Sequence, residues 1–406
     1  MPTAGLQPRE NATLAGLKVV EFGQLVAGPV AGTLLADLGA DVIHVEDPAT
    51  GDPARMMGLF REDVGLWWKV TARNKRSVTL DLRSPPGQAV ARRLAAWADV
   101  VITNLRVGTV ERWGLDWPSL HAVNPKLVML QVSGYGATTT LRDAPGYGKV
   151  GEARSGAVHI SGFPDGPPVH SGFSHADTVT GLMGAFAVQA ATYRRLTDPD
   201  FDGEWIDLAV DETLFRLVES QIVAYDQLGV VLERVGNRVA GSSSALVNTF
   251  QASDGRWITV TSGTIASVQH IAELVGEPVD SYGSRELITA NCPHLEERLA
   301  AWIAAHDEHE CISQMRTMGV VAAAILDASD IVADETYRER GSIITVDDPD
   351  LGPLRMQGVV PRLANHTGDV WQAAPKLGEH TEQVLRCELG MSDAEIAVLT
   401  GSAARS

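Results

Sequence analysis

The feature that most constrains the fold is a strand–helix–strand pattern compressed into the opening of the chain. Leu17–Phe22 is a short apolar run rich in Val, which predicts a buried strand. Gly23 to Pro29 reads as a turn. Ala31 to Leu38 has helical spacing and stops at Gly39, where a C-terminal cap is expected. Asp41–Glu46 is a second strand. Strands joined through a helix at this spacing run parallel, because a parallel pair needs a long crossover. The pattern therefore predicts an α/β fold whose large domain is built from parallel-sheet βαβ units. The first turn, GQLVAGP, lacks GxGxxG, and Pro29 stands where the third Gly would be. A nicotinamide dinucleotide is poorly supported.

Further strands and helices continue the theme. Ser84-Pro85-Pro86-Gly87 opens a helix over Gln88–Trp97, and Val100–Thr103 is another strand. Asn104, Arg106 and Arg112 follow it, and ligands of open α/β sheets bind beyond the carboxyl ends of strands. The tight cluster Arg73-Asn74-Lys75-Arg76 precedes a Val-rich strand. Such a run is most often a solvated face. In a chain of net charge -18 and pI ≈ 5.0 it is also a candidate anion site. The same acidic balance argues against a nucleic-acid coat or an anionic-membrane binder.

Three cysteines, Cys292, Cys311 and Cys387, are far apart and form no CxxC. That predicts a reducing cytoplasm, with no disulfide framework and no zinc site. The opening MPTAGLQPRENATL has no apolar h-region and reads as a disordered leader. Val19 to Ile43 carries Glu21, Asp37, Asp41 and Pro29, so it is not a membrane span.

A long stretch from Tyr147 to Arg195 organises the middle of the chain. A short polar segment leads to the Gly/Pro loop Gly162–Pro168, and an apolar helix begins just after Asp177. Gly181, Gly184, Ala185 and Val188 put small side chains on one side of that helix, which predicts close packing. Asp177 sits at the loop-to-helix junction. Capping is the commoner use of such an Asp; the other is a carboxylate nucleophile. Glu204–Val210 is then a strand, Glu212–Leu228 an amphipathic helix, and Leu351–Leu363 a strand pair. Helices are expected over Glu379–Leu389 and Asp393–Leu399. The polar, small-residue texture after Arg234, then DGRWITVTSG and several short helices, predict a second, smaller α+β domain. The expected division is 14–224 and 335–406 for the large domain and 225–334 for the small one.

Several blocks of the chain resemble the class III CoA-transferases, the family of formyl-CoA transferase. They are LKVVEFGQLVAGPVAGTLLADLGADVIHVEDPATGD, ARNKRSVTLDLRSPPGQ, VVITNLRVGTVERWGL, QVSGYG, the GFPDGPP loop leading to Asp177, and PKLGEHT near the C-terminus. They are ordered as in the family and span most of the chain. The resemblance implies an interlocked dimer, either a homodimer or a heteromer with a related subunit. It implies acyl-CoA and carboxylic acid substrates, with CoA thioesters as substrates and no permanently bound cofactor or metal. It implies that Asp177 is the catalytic nucleophile, working through an aspartyl anhydride and an aspartyl-CoA thioester. The CoA site it implies comprises Val26, Ala27, Thr71, Ala72, Arg73, Asn74, Lys75, Arg76, Asn104, Leu105, Arg106, Arg112, Pro145, Gly146, Tyr147 and Gly148. Arg154 and His175 are candidates to meet a second carboxylate. The family's Gly-rich loop over the active site is Ser-rich here, Gly241–Asn248.

Similarity is nearest to members that move CoA from succinyl-CoA to a dicarboxylic or hydroxy acid such as malate, citramalate or benzylsuccinate. Two alternatives accompany this reading. One is an α-methylacyl-CoA racemase, but Tyr147 falls where those isomerases hold a His, and Tyr is a poor base near neutral pH. The other is a less active subunit of a heteromeric transferase, against which the retained Asp177 argues.

Overall fold

The structure, a computed structural model, describes residues 10–241 and 246–400. Residues 1–9, within the expected leader, and 242–245, within the Ser-rich loop, lie outside the described residues. The chain divides into two compact units. One comprises 1–156, 171–218 and 335–406, and the other 157–170 and 219–334. Residues 157–170 and 219–224, expected in the first unit, group with the second. Gly236 N donates to Gly162 O (2.9 Å), and Arg234 Nη1 donates to His159 O (3.0 Å).

The first unit is built on a six-stranded sheet. Its early elements are β1 (Lys18–Glu21), α1 (Ala27–Asp37), β2 (Asp41–Glu46), β3 (Lys75–Thr79), α2 (Pro85–Trp97) and β4 (Val100–Thr103). Then come α3 (Val107–Trp113), β5 (Val128–Ser133), α4 (Gly148–Arg154), α5 (His175–Thr197), β6 (Glu204–Ala209) and α6 (Val210–Phe215). All pairings are parallel, in the order β3-β2-β1-β4-β5-β6. The chain builds outward from β1 in one direction, returns, and builds outward from β4 in the other. This is the doubly wound order of mononucleotide-binding halves.

Helix α1 starts four residues earlier than the spacing suggested, because Pro29 sits in its first turn, where no intrahelical N–H is needed. Gly39 ends it at φ +108, a conformation that suits Gly. Ser84 caps α2 by accepting from Gly87 N (3.2 Å). Helix α2 buries Val90, Ala91, Leu94 and Ala95 against Val20, Val101 and Met129 of the sheet. On α5 the small residues do what their spacing suggested. A β-carbon at Gly181 would lie 2.6 Å from Val30 Cβ, and one at Gly184 2.7 Å from Leu130 Cδ2. These two glycines let α5 approach α1 and β5 at backbone distance.

The second unit carries β7 (Val247–Gln251), β8 (Trp257–Thr261) and β9 (Ala322–Ala324) in an antiparallel sheet of order β9-β8-β7. Helices α7 (Ile265–Leu274), α8 (Arg285–Ala304) and α9 (Glu308–Thr317) share its core through Val268, Leu299 and Met315. The single helix expected over Glu212–Leu228 is instead two, α6 and Gln221–Leu228. Glu219 at φ +50 breaks the run.

Back in the first unit, β10 (Ile343–Asp348) and β11 (Gly352–Gln357) form an antiparallel pair that begins earlier than expected. The PKLGEHT segment then covers the edge of β3. His380 N donates to Ser77 O (2.9 Å), and Thr79 N donates to Thr381 Oγ1 (3.0 Å). An open edge strand is thereby closed. Among the described residues no helix is long and apolar enough to cross a membrane.

Candidate active site

In a doubly wound sheet the strand order reverses between β1 and β4, so the loops leaving their carboxyl ends diverge and open a crevice. A cavity of about 260 Å³ lies there. Its walls are Gln24 to Ala27 after β1, Asn104 to Val107 after β4, and Val132 to Gly134 at the end of β5. Arg142, Ala144, Gly146, Tyr147, Asp177 and Val210 complete it.

Two contacts shape the crevice. Gln24 N donates to Asn104 Oδ1, and Asn104 Nδ2 donates to Gln24 O, both at 2.7 Å. The amide of Asn104 thus pairs with the β1 loop as a strand would. Leu25 takes φ +66, costly for a branched side chain by about 1–3 kcal/mol. Its N–H donates to Asp52 Oδ1 (3.0 Å).

Asp177 reaches the cavity from the first turn of α5. It is the third residue of the helix and not its cap: Ser174 is the capping position, with no side-chain capping bond. The capping explanation for Asp177 is therefore removed. The carboxylate lies against the backbone of Gly148, whose β-carbon, if present, would stand 2.6 Å from Asp177 Cγ. Asp177 is half-buried. Burial pushes its carboxyl up to about 6, the neighbouring Glu152 carboxylate adds to this, and Lys149 opposes it. Lys149 Nζ pairs with the buried Glu152 (2.9 Å) and donates to Ser171 O (2.7 Å) and Phe173 O (3.0 Å). One side chain thereby fastens the approach to α5.

Of the residues expected at the site, Val26, Ala27, Asn104, Leu105, Arg106, Gly146, Tyr147 and Asp177 line this cavity, and Gly148 touches Asp177. Arg106 is exposed at the rim, and Arg142 pairs with Glu111. Pro145 is not part of the lining although its neighbours Ala144 and Gly146 are; its carbonyl accepts from Tyr135 Oη (3.0 Å). Arg112 is exposed on α3 and donates to Thr109 Oγ1 (3.0 Å).

The basic cluster is a correction. Arg73 pairs with Asp37 (2.6 Å), Lys75 with Glu21 (3.0 Å), and Arg76 with Asp41 (2.6 Å) and Glu388 (3.0 Å). Asn74 Nδ2 donates to Asp37 Oδ1 (3.0 Å) and Asp369 O (2.9 Å). These charges are neutralised inside the fold, and none lines the cavity. Thr71 and Ala72 also lie away from it, Thr71 O accepting from Thr33 Oγ1 (2.5 Å). Arg154 pairs with Asp211 (3.0 Å) and stacks on Tyr135, and His175 Nδ1 bonds Ser171 Oγ (2.9 Å). Neither lines the cavity. Sequence reasoning missed Gln24, Leu25, Ser133 and Arg142. The carboxyl-end rule for strands, applied to β1 and β5, reaches the first three.

A family model, described as CoA-transferase family III, matches residues 14–381. The succinyl-CoA–D-citramalate CoA-transferase of Chloroflexus aurantiacus is 37% identical over 96% of this chain and 98% of its own length. The β subunit of succinyl-CoA–L-malate CoA-transferase from the same species is 36% identical over 94% of this chain and 96% of its own. Among solved structures, a CAIB/BAIF family protein from Brucella suis superposes with a TM-score of 0.80 and 31% identity, over 93% of this chain and 100% of that one. With its crevice at the sheet reversal and these relatives along nearly its whole length, the chain belongs to CoA-transferase family III and is a class III CoA-transferase.

Proposed function

We propose that this enzyme moves CoA from succinyl-CoA to a second dicarboxylic or hydroxy acid, with Asp177 as the covalent nucleophile. The observation that carries the reading is the placement of the Asp177 carboxylate in the wall of the switch-point cavity, without use as a helix cap. The named relatives act on D-citramalate and L-malate, which motivates the substrate class.

Four balanced exchanges follow. An Asp177 carboxylate oxygen attacks the thioester carbonyl, the C–S bond breaks, and the CoA thiolate leaves a mixed anhydride. The thiolate then attacks the Asp177 side of the anhydride, and succinate departs. The product is an aspartyl-CoA thioester. The incoming acid attacks that thioester and expels the thiolate again. The thiolate attacks the acyl side of the new anhydride, and Asp177 is regenerated as carboxylate. This is nucleophilic catalysis without a redox step. The cavity's reach from Gln24–Ala27 to Asn104–Arg106 supports its use by the CoA thioester, with Arg106 available to an anionic group. The cytoplasm is the proposed setting: Cys292, Cys311 and Cys387 are all free thiols.

An interlocked dimer is the proposed assembly. Leu182, Phe186, Tyr193 and Leu196 form one stripe along α5, each at least 59% exposed. A stripe of that size on a helix predicts a covering partner. A second copy is the first candidate. A related chain is the second, since two relatives are named as subunits of one transferase. Sedimentation at micromolar concentration should show no monomer.

The direct test of the reaction is a screen of carboxylic acids against succinyl-CoA, read by the mass of the new CoA thioester. Product with a four- or five-carbon dicarboxylic or hydroxy acid supports the reading. No CoA exchange with any acid would sink it.

A further inference from the structure

One set of buried charged groups plays no part in the proposed exchange yet ends on the cavity wall. Lys75, Glu21, His44 and Asp52 form a continuous chain, each at most 1% exposed. Lys75 Nζ donates to Glu21 Oε2 (3.0 Å) and to Pro29 O (2.7 Å) in α1. Glu21 Oε1 meets His44 Nδ1 at 2.5 Å. His44 Nε2 stands 3.1 Å from Asp52 Oδ2, an ion pair without hydrogen-bond alignment. Asp52 Oδ1 then accepts from Leu25 N (3.0 Å) and Ala54 N (2.7 Å). Leu25 is the cavity residue at φ +66.

Stability alone does not account for this chain. Buried ion pairs gain little over well-packed apolar side chains, because desolvation cancels much of their attraction. What the chain delivers is a fixed acceptor for the N–H of a leucine held where leucine is disfavoured. Without that acceptor, Leu25 gains by relaxing to negative φ. Gln24 is pinned on one side by Asn104, so the relaxation falls on Leu25 and Val26, and both line the cavity.

We propose that Asp52, held in place by His44, is a positioning residue for acyl-CoA binding: it fixes the left-handed Leu25 and so presents the turn Gln24–Ala27 to the thioester. This rests on reading the switch-point cavity as the acyl-CoA site.

The test is a cycle of variants read by steady-state kinetics with succinyl-CoA. Asp52→Ala should raise KM for succinyl-CoA about tenfold, the worth of one buried hydrogen bond, with kcat largely kept. Asp52→Asn, which keeps an acceptor for Leu25 N, should recover most of that loss. Leu25→Gly removes the conformational penalty. In that background Asp52→Ala should therefore raise KM several-fold less. Amide exchange at Leu25 in the ligand-free protein should be faster in Asp52→Ala. If Asp52→Ala does not fold, His44→Gln carries the same cycle with a smaller rise in KM, since it removes the ion pair to Asp52 Oδ2 and leaves Asp52 held by Ala54 N. An unchanged KM, or an equal rise with and without Leu25→Gly, overturns the proposal. Arg106→Glu separates two kinds of failure. If it raises KM while Asp52→Ala does not, the cavity reading stands and this inference falls. If neither moves KM, the cavity reading has failed and takes the inference with it.

Discussion

Gly148 faces the carboxylate of Asp177 with no room for a side chain between them: a β-carbon there would sit 2.6 Å from Asp177 Cγ. The carboxylate keeps its place because position 148 has no β-carbon. Gly148→Ala should therefore push Asp177 aside while the rest of α4 remains helical. Misplacing a reacting group by about 1 Å costs on the order of 100-fold in rate. Initial rates of CoA exchange should fall by at least that factor, with a melting temperature within a few degrees of the parent. Parental rates would mean that Asp177 is not where the reaction happens.

The pH dependence follows from the same carboxylate. As the proposed nucleophile, Asp177 would have to be ionised to attack, and burial with Glu152 holds its carboxyl up to about 6. kcat/KM should be level above about pH 7 and fall about tenfold per unit below about 6. Stability should respond in the opposite sense. Between the ordinary value of 3.8 and about 6 the folded chain binds this proton more tightly than the unfolded chain, so Asp177 disfavours folding once ionised. Asp177→Asn should lose activity and gain stability at neutral pH. A pH–rate profile flat down to pH 5 contradicts the assignment.

How much of this was legible in the sequence differs from element to element. The opening βαβ unit was readable because each piece is a local run whose period is visible in a few residues. The close approach of α5 was readable for the same reason, from Gly181 and Gly184. The basic cluster was not. Nothing local reveals that Arg73 meets Asp37, or that Arg76 meets Glu388 at the far end of the chain. Charge arithmetic counts cations and says nothing of which are already paired. Leu25 was invisible for another reason. Leucine gives no left-handed signal, and the acceptor of its N–H is Asp52, twenty-seven residues away in sequence. Asp177 was singled out by motif, yet its helix starts three residues earlier than the sequence suggests, and only that start removes the capping explanation.

The reassigned cluster makes a prediction of its own. Arg73→Ala leaves Asp37 buried without its cation, a loss of about 3–5 kcal/mol. Urea unfolding should show the drop, whereas KM for succinyl-CoA of the folded protein should stay near the parent value. A raised KM at parental stability would return Arg73 to the anion site.

His44 sets a second pH effect. Its imidazolium is held up to about 9 by the charge of Glu21, then by Asp52, with Glu46 contributing, against the cost of burial. In the unfolded chain it titrates near 6.5. The stability it contributes is complete below 6.5 and is lost as pH rises through about 9. Unfolding free energy should therefore fall between pH 6.5 and 9.5. The slope should be shallower in His44→Gln, where the remaining groups alone titrate. Equal slopes in the two proteins would show that His44 is neutral in the folded state.

The sharpest prediction concerns the covalent step. Incubation with succinyl-CoA alone should leave part of the enzyme as an acyl anhydride or CoA thioester on Asp177, both of which react with hydroxylamine. Quenching with hydroxylamine should convert that side chain to its hydroxamate. The peptide carrying Asp177 would then gain a fixed mass, found by digestion and mass spectrometry. Asp177→Ala should abolish turnover and the adduct together, while CoA still binds, because the Gln24–Ala27 turn and Arg106 are intact. Full turnover in the variant, or an adduct on another residue, would remove Asp177 from the mechanism.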